Sequence, residues 1–241
     1  MRVLRRCWPE LLLVAGFAGL TGALLAGHLL GLDVAVSHWC DGHRPALPGL
    51  LARLGNYLGQ GGALTLLCVG IAVLLARRRH SVRPVLPVLA ALALTFGTLQ
   101  PLKSLTDRPA PHARLPHPEL FGAGGQSYPS GHLANALVWY GVLALLLAPW
   151  LTRAAGRAVR IVPPAVLTVT TVYLGYHWLT DTVAGLLLGV LLDRLLHHVP
   201  WDRMPLGRRL AAAGWAGPGL PASRRPVDPT PEALSRARAA S

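Results

Sequence analysis

A chain of 241 residues that is 52% hydrophobic and only 14% charged, with a mean hydropathy of +0.44, has too little polar surface to cover a water-soluble domain of its size. A formal net charge of +13 would suit nucleic acid. The arginines, however, gather at the ends of apolar runs and in the tail with no aromatic interleaving, which excludes a nucleic-acid surface and points to a bilayer with anionic lipid.

The first apolar run extends from Leu11 to about Leu32, behind Arg2, Arg5 and Arg6, and breaks at Asp33. It is long for a signal-peptide core and no small-residue cleavage site follows it, so it reads as a retained spanning helix. A second run, from about Tyr57 to Ala76, stops at Arg77, Arg78, Arg79 and His80, and a third occupies about Val85 to Leu102. The fourth follows Pro129 to His132 as Leu133 to Leu151, ahead of Arg153, Arg157 and Arg160. The fifth, about Ile161 to Leu179, is polar for a membrane helix. The sixth, about Thr182 to Leu196, carries Gly185 and Gly189 four apart, a spacing that lets a neighbouring helix come close.

These runs predict an all-α, polytopic membrane protein: a bundle of six transmembrane helices over residues 11–199, after a short segment 1–10. The Pro-, Ala- and Arg-rich tail, 200–241, has too little apolar periodicity to fold and is expected to be disordered. Arginine clusters at 2–6, 77–83, 153–160 and 203–209 all fall on one side if the chain starts in the cytoplasm, where positive loops belong. Both termini are then cytoplasmic, the cell membrane is the expected location, and segments 33–56, 103–130 and 177–181 face outward.

Cys7, Cys40 and Cys68 are widely spaced and form no CxxC pair, so neither a disulfide framework nor a zinc site is expected, and no metal or cofactor. Of the 10 acidic residues only Asp181 and Asp193 lie close to the middle of an apolar stretch, and each therefore needs a partner.

Three polar segments meet on the outward side. Lys103 is the only lysine in the chain, a point charge at the mouth of a helix where every other cation is arginine. In Ser127-Tyr128-Pro129-Ser130-Gly131-His132, the proline prepares a helix start, and Ser130, Gly131 and His132 then present backbone N–H groups as an anion nest. In His177-Trp178-Leu179-Thr180-Asp181, histidine and carboxylate four apart would share a helix face, the carboxylate accepting from one ring nitrogen and freeing the other as nucleophile. Cations, an anion nest, two histidines and an orienting carboxylate form a phosphoryl-transfer constellation.

On Lys103, Pro129-Ser130-Gly131-His132, and His177 with Asp181, the chain resembles the type 2 phosphatidic acid phosphatase family, which shares its core with vanadium-dependent haloperoxidases and bacterial acid phosphatases. The resemblance covers most of residues 10–196. It implies a metal-independent phosphatase in which His177 attacks phosphorus, Asp181 orients it and His132 protonates the leaving oxygen. Lys103, Ser130 and Gly131 would hold the phosphate oxygens. The family's pattern has further arginines where this chain has Ala110 and Thr171. Arg108 is expected to swing in beside Lys103 as the remaining clamp, with Arg114 a second candidate.

The expected activity is hydrolysis of a lipid phosphate or lipid pyrophosphate monoester through a phosphohistidine at the outer membrane interface. The alternative is a relative that binds a lipid phosphate or a partner protein without turnover; the retained His132, His177 and Asp181 speak against it. A proton-relay transporter would spread polar residues through the bilayer depth, whereas here they gather at one face.

Overall fold

The computed structural model describes residues 2–204, with side chains from Cys7 onward. The tail expected to be disordered lies almost wholly outside the described residues, as do the side chains of Arg2, Arg5 and Arg6. Among the described residues there is no strand and there are eight α-helices: α1 (Arg2–Leu25), α2 (Leu30–Gly42), α3 (Ala46–Asn56), α4 (Gly61–Arg79), α5 (Val85–Thr106), α6 (Gly131–Leu147), α7 (Arg153–Tyr173) and α8 (Leu179–His198).

Six of these, α1 and α4 to α8, fall on the six apolar runs. By length and composition Cys7–Leu25, Gly61–Arg79 and Val85–Thr106 suffice to cross a membrane, and α6 is a shorter apolar helix. They turn side chains such as Leu12, Leu66 and Phe96 outward, as a lipid solvent requires. Two readings are corrected. The first run is two elements, because Gly27 and Leu29 adopt left-handed backbone (φ 80° and 66°) and end α1, so Asp33 falls in the first turn of α2. Segment 33–56, expected as a loop, is mostly the helices α2 and α3.

The bundle is organised around α6, which packs most heavily on α8 and then on α7 and α4. A methyl group on Gly189 would come within 2.9 Å of Ala134 Cα, and one on Gly185 within 2.6 Å of the Ser130 carbonyl oxygen. The two glycines therefore let α8 lie directly against α6. That close approach brings the start of α8 beside the start of α6, where the Ser130 N–H donates to the Asp181 carbonyl at 2.9 Å. At the other end of α8, Asp193 meets Arg160 of α7 at 2.5 Å and His197 at 3.2 Å, the partners its depth demanded. Glu10 of α1 binds Arg194 at 2.7 Å.

Candidate active site

The site assembles at the C-terminus of α5 and the N-termini of α6 and α8. Asp107, at φ 46°, ends α5 one turn after Lys103. The loop that follows is tied back to this end: the Asp107 carbonyl accepts from the N–H groups of Ala123 and Gly125, and the Arg108 carbonyl from Ser127 at 2.7 Å. Ser130 is the N-cap of α6, its Oγ accepting from the Leu133 N–H at 3.4 Å. Gly131 and His132 follow as the first helical residues, whose N–H groups have no intrahelical acceptor.

His177 does not share a helix face with Asp181. Gly175 at φ 69° turns the chain out of α7, and Trp178 is extended before α8 begins. His177 therefore sits in a turn and Asp181 in the first turn of α8, with 3.8 Å between His177 Nδ1 and Asp181 Oδ2. Ser127 fills the gap: its Oγ lies 3.0 Å from His177 Nδ1 and donates to Asp181 Oδ2 at 2.5 Å. A serine has one proton, and a carboxylate only accepts. The proton on Ser127 is thus committed to Asp181, so His177 Nδ1 must carry hydrogen and donate to Ser127, which leaves Nε2 bare. His132 Nδ1 stands 3.3 Å from that nitrogen.

His177 and His132 open on a cavity of about 930 Å³, lined also by Lys103, Gly131, Asn135, Gln126, Ser127 and His112. A methyl group on Gly131 would press on Lys103 Cε at 3.3 Å, so the glycine admits the lysine, whose Nζ is anchored by the Gln126 carbonyl. Tyr128 is sealed behind the cavity, its hydroxyl 2.6 Å from Thr21 Oγ1, and burial pushes its phenol up to about 12.

The PAP2 superfamily model matches residues 84–205, just over half of the chain and all three polar segments. The chain belongs to the PAP2 superfamily. The crystal structure of a transmembrane PAP2-type phosphatidylglycerolphosphate phosphatase from Bacillus subtilis matches with a TM-score of 0.66 at 25% identity, over 83% of this chain and 100% of that one. No curated protein matches. Superfamily membership and this likeness make the chain a multi-pass membrane protein and support lipid phosphate hydrolysis.

In this PAP2 chain the structure brings together Lys103, Gly131, His132 and His177 around one cavity. Ser130 and Asp181 stand behind it, fully buried, holding the wall in place. Arg108 departs from expectation. It does not swing in beside Lys103, because its guanidinium is 0% exposed and spent elsewhere. Nε donates to the Glu119 carbonyl at 2.8 Å, Nη1 to Asp181 Oδ1 at 2.6 Å and Thr180 Oγ1 at 2.8 Å, and Nη2 to Asp33 Oδ2 at 2.7 Å. Phe121 and Trp178 lie 5.5 Å from it. Asp33 in turn accepts from the Thr180 N–H at 3.0 Å and its hydroxyl at 2.5 Å. Arg108 is a structural hub for Asp181 rather than a phosphate clamp. Among the described residues no group of three or more His, Cys, Asp or Glu side chains is placed to hold a metal ion.

Proposed function

We propose that the chain hydrolyses a lipid phosphate or lipid pyrophosphate monoester through a phosphohistidine on His177, at the outer membrane interface of the cell membrane. The observation that carries this reading is the relay from Asp181 through Ser127 to His177 Nδ1, which turns Nε2 toward His132 in a cavity that Lys103 also lines. In the first step Nε2 attacks phosphorus and the bond from phosphorus to the lipid oxygen breaks. His132 Nδ1–H gives its proton to that oxygen as the alcohol, or the shortened phosphate, departs. Positive charge developing on the His177 ring is balanced through Ser127 by the Asp181 carboxylate. In the second step His132 takes a proton from water, the hydroxide attacks phosphorus, and inorganic phosphate leaves His177 free. Lys103 and the N–H groups of Gly131 and His132 face the phosphate oxygens throughout. The turnover-free alternative calls for a broken relay, and each member of this one is in hydrogen-bond reach of the next.

Purified protein is expected to release phosphate from polyprenyl or glycerolipid phosphates with undiminished rate in excess chelator, and vanadate is expected to inhibit it. Loss of turnover on chelation with recovery on adding magnesium would refute the phosphohistidine route. Sidedness is tested separately. After Cys7, Cys40 and Cys68 are replaced, Ala123→Cys should react with an impermeant thiol reagent in intact cells; labelling only after lysis would reverse the orientation.

A further inference from the structure

Among the residues lining the cavity, Lys103 is the one lysine or arginine, since Arg108 is sealed behind Asp181. A phosphate monoester carries about −1.5 to −2 charge at pH 7. One lysine leaves part of that charge unmatched. The other basic side chains on the wall are His132 and His177, engaged in the chemistry above, and His112, which that chemistry does not use.

His112 comes from the loop after α5 and closes on the turn before α8. Its ring rests on Gly175, where any side chain would occupy the space of the imidazole, and where φ 69° already favours glycine. Its Nε2 faces both oxygens of Asp41 in α2, at 3.1 and 3.2 Å. Asp41 is itself held by Arg44 at 2.7 Å, and that guanidinium lies 5.7 Å over the Tyr173 ring at the end of α7. Nδ1 has no hydrogen-bond partner among the described residues. A carboxylate on one ring nitrogen fixes the ring's orientation and leaves the other nitrogen to a ligand, as in carboxylate–histidine pairs generally.

We propose that His112 is the second cationic arm of the phosphate site. With Nε2–H held by Asp41, Nδ1–H donates to a phosphate oxygen from the α7 side of the cavity, while Lys103 holds the group from α5. The ligand class is a phosphate monoester or diphosphate head, and the inorganic phosphate product is bound by the same arm. This rests on the proposal that the cavity holds phosphate.

Binding of radiolabelled inorganic phosphate to purified full-length protein, by equilibrium dialysis, tests it without requiring turnover. His112→Ala should weaken binding about tenfold, the scale of a lost charge-assisted pair. Asp41→Asn should weaken it less, and the double variant no more than His112→Ala alone. Ala110→Arg, two residues away on the same wall, should restore binding in the His112→Ala background. If Lys103→Ala weakens binding and His112→Ala does not, His112 is only a tie between α2 and the loop, and the inference fails while the phosphate site stands. If neither changes binding, the cavity is not a phosphate site and both readings fall. Loss in His112→Ala that Ala110→Arg leaves unrepaired, with additive loss in the double variant, would likewise overturn it in favour of a folding defect.

Discussion

Arg108→Ala is expected to destabilise the protein by about 3–5 kcal/mol, the cost of removing one partner from a buried ion cluster. Asp33 and Asp181 are both fully buried and both lean on this one guanidinium, at 2.7 and 2.6 Å. Without it two carboxylates face each other through Thr180 with no cation between them. Turnover should fall by at least about tenfold, a loss of roughly 1.4 kcal/mol, because Asp181 loses the bond that sets its orientation toward Ser127. Arg108→Lys should lie between, since an ammonium cannot span the Glu119 carbonyl, Thr180 and two carboxylates in one plane. Adding Asp33→Asn to Arg108→Ala should recover part of the stability by deleting one of the orphaned charges. Thermal melts in detergent read the effect. A melting temperature equal to that of the parent chain would show that the hub does not hold the site, and an effect confined to phosphate affinity would return Arg108 to the role of clamp.

His177→Ala should lower turnover by roughly three orders of magnitude or more, because His177 is the one cavity-lining histidine with the Ser127–Asp181 pair behind it. It should also remove the covalent label that a rapid acid-free quench traps from radiolabelled substrate, a label stable to alkali and labile to acid. His132→Ala should behave differently. With a lipid alcohol as leaving group it should be nearly as damaging, but with an aryl phosphate, whose leaving oxygen needs no proton, the label should still form and then persist if His132 serves as the base for the proposed second step. A label that survives in His177→Ala would move the nucleophile elsewhere.

Much of the fold was legible because lipid is a demanding solvent. Every backbone group must be satisfied within its own helix, which forces long apolar runs that hydropathy alone detects, and arginine clusters mark their ends. The Gly185 and Gly189 spacing likewise foretold a close helix contact, with α6 as its partner. Lys103, Gly131, His132 and His177 were legible as residues of one face because each sits in a short motif at a helix end. Ser127 was not. It stands within a motif segment, but nothing local marks a hydroxyl whose partners lie 50 and 54 residues away. Asp33 looked like the end of a span, since a carboxylate bordering an apolar run reads as leaving the bilayer unless its cation is known. The role of Arg108 inverted for the same reason: reach from a displaced Cα could be argued from the sequence, but the two acids that capture it come from opposite ends of the domain. The bond from His177 to Asp181 was drawn one atom too short, because four-residue spacing implies a shared helix face only where the chain is helical, and Gly175 takes it out of helix first.

The hub at Arg108 also bears on how the protein is made. Its anions are contributed by Asp33, in the first turn of α2, and Asp181, at the entry to α8. Until α8 is in place, Asp33 is the one carboxylate of the pair open to Arg108, and His177 has Ser127 without Asp181 behind it. A chain that stops short of α8 lacks the carboxylate on which the proposed relay rests, and is expected to be inert toward the lipids around it.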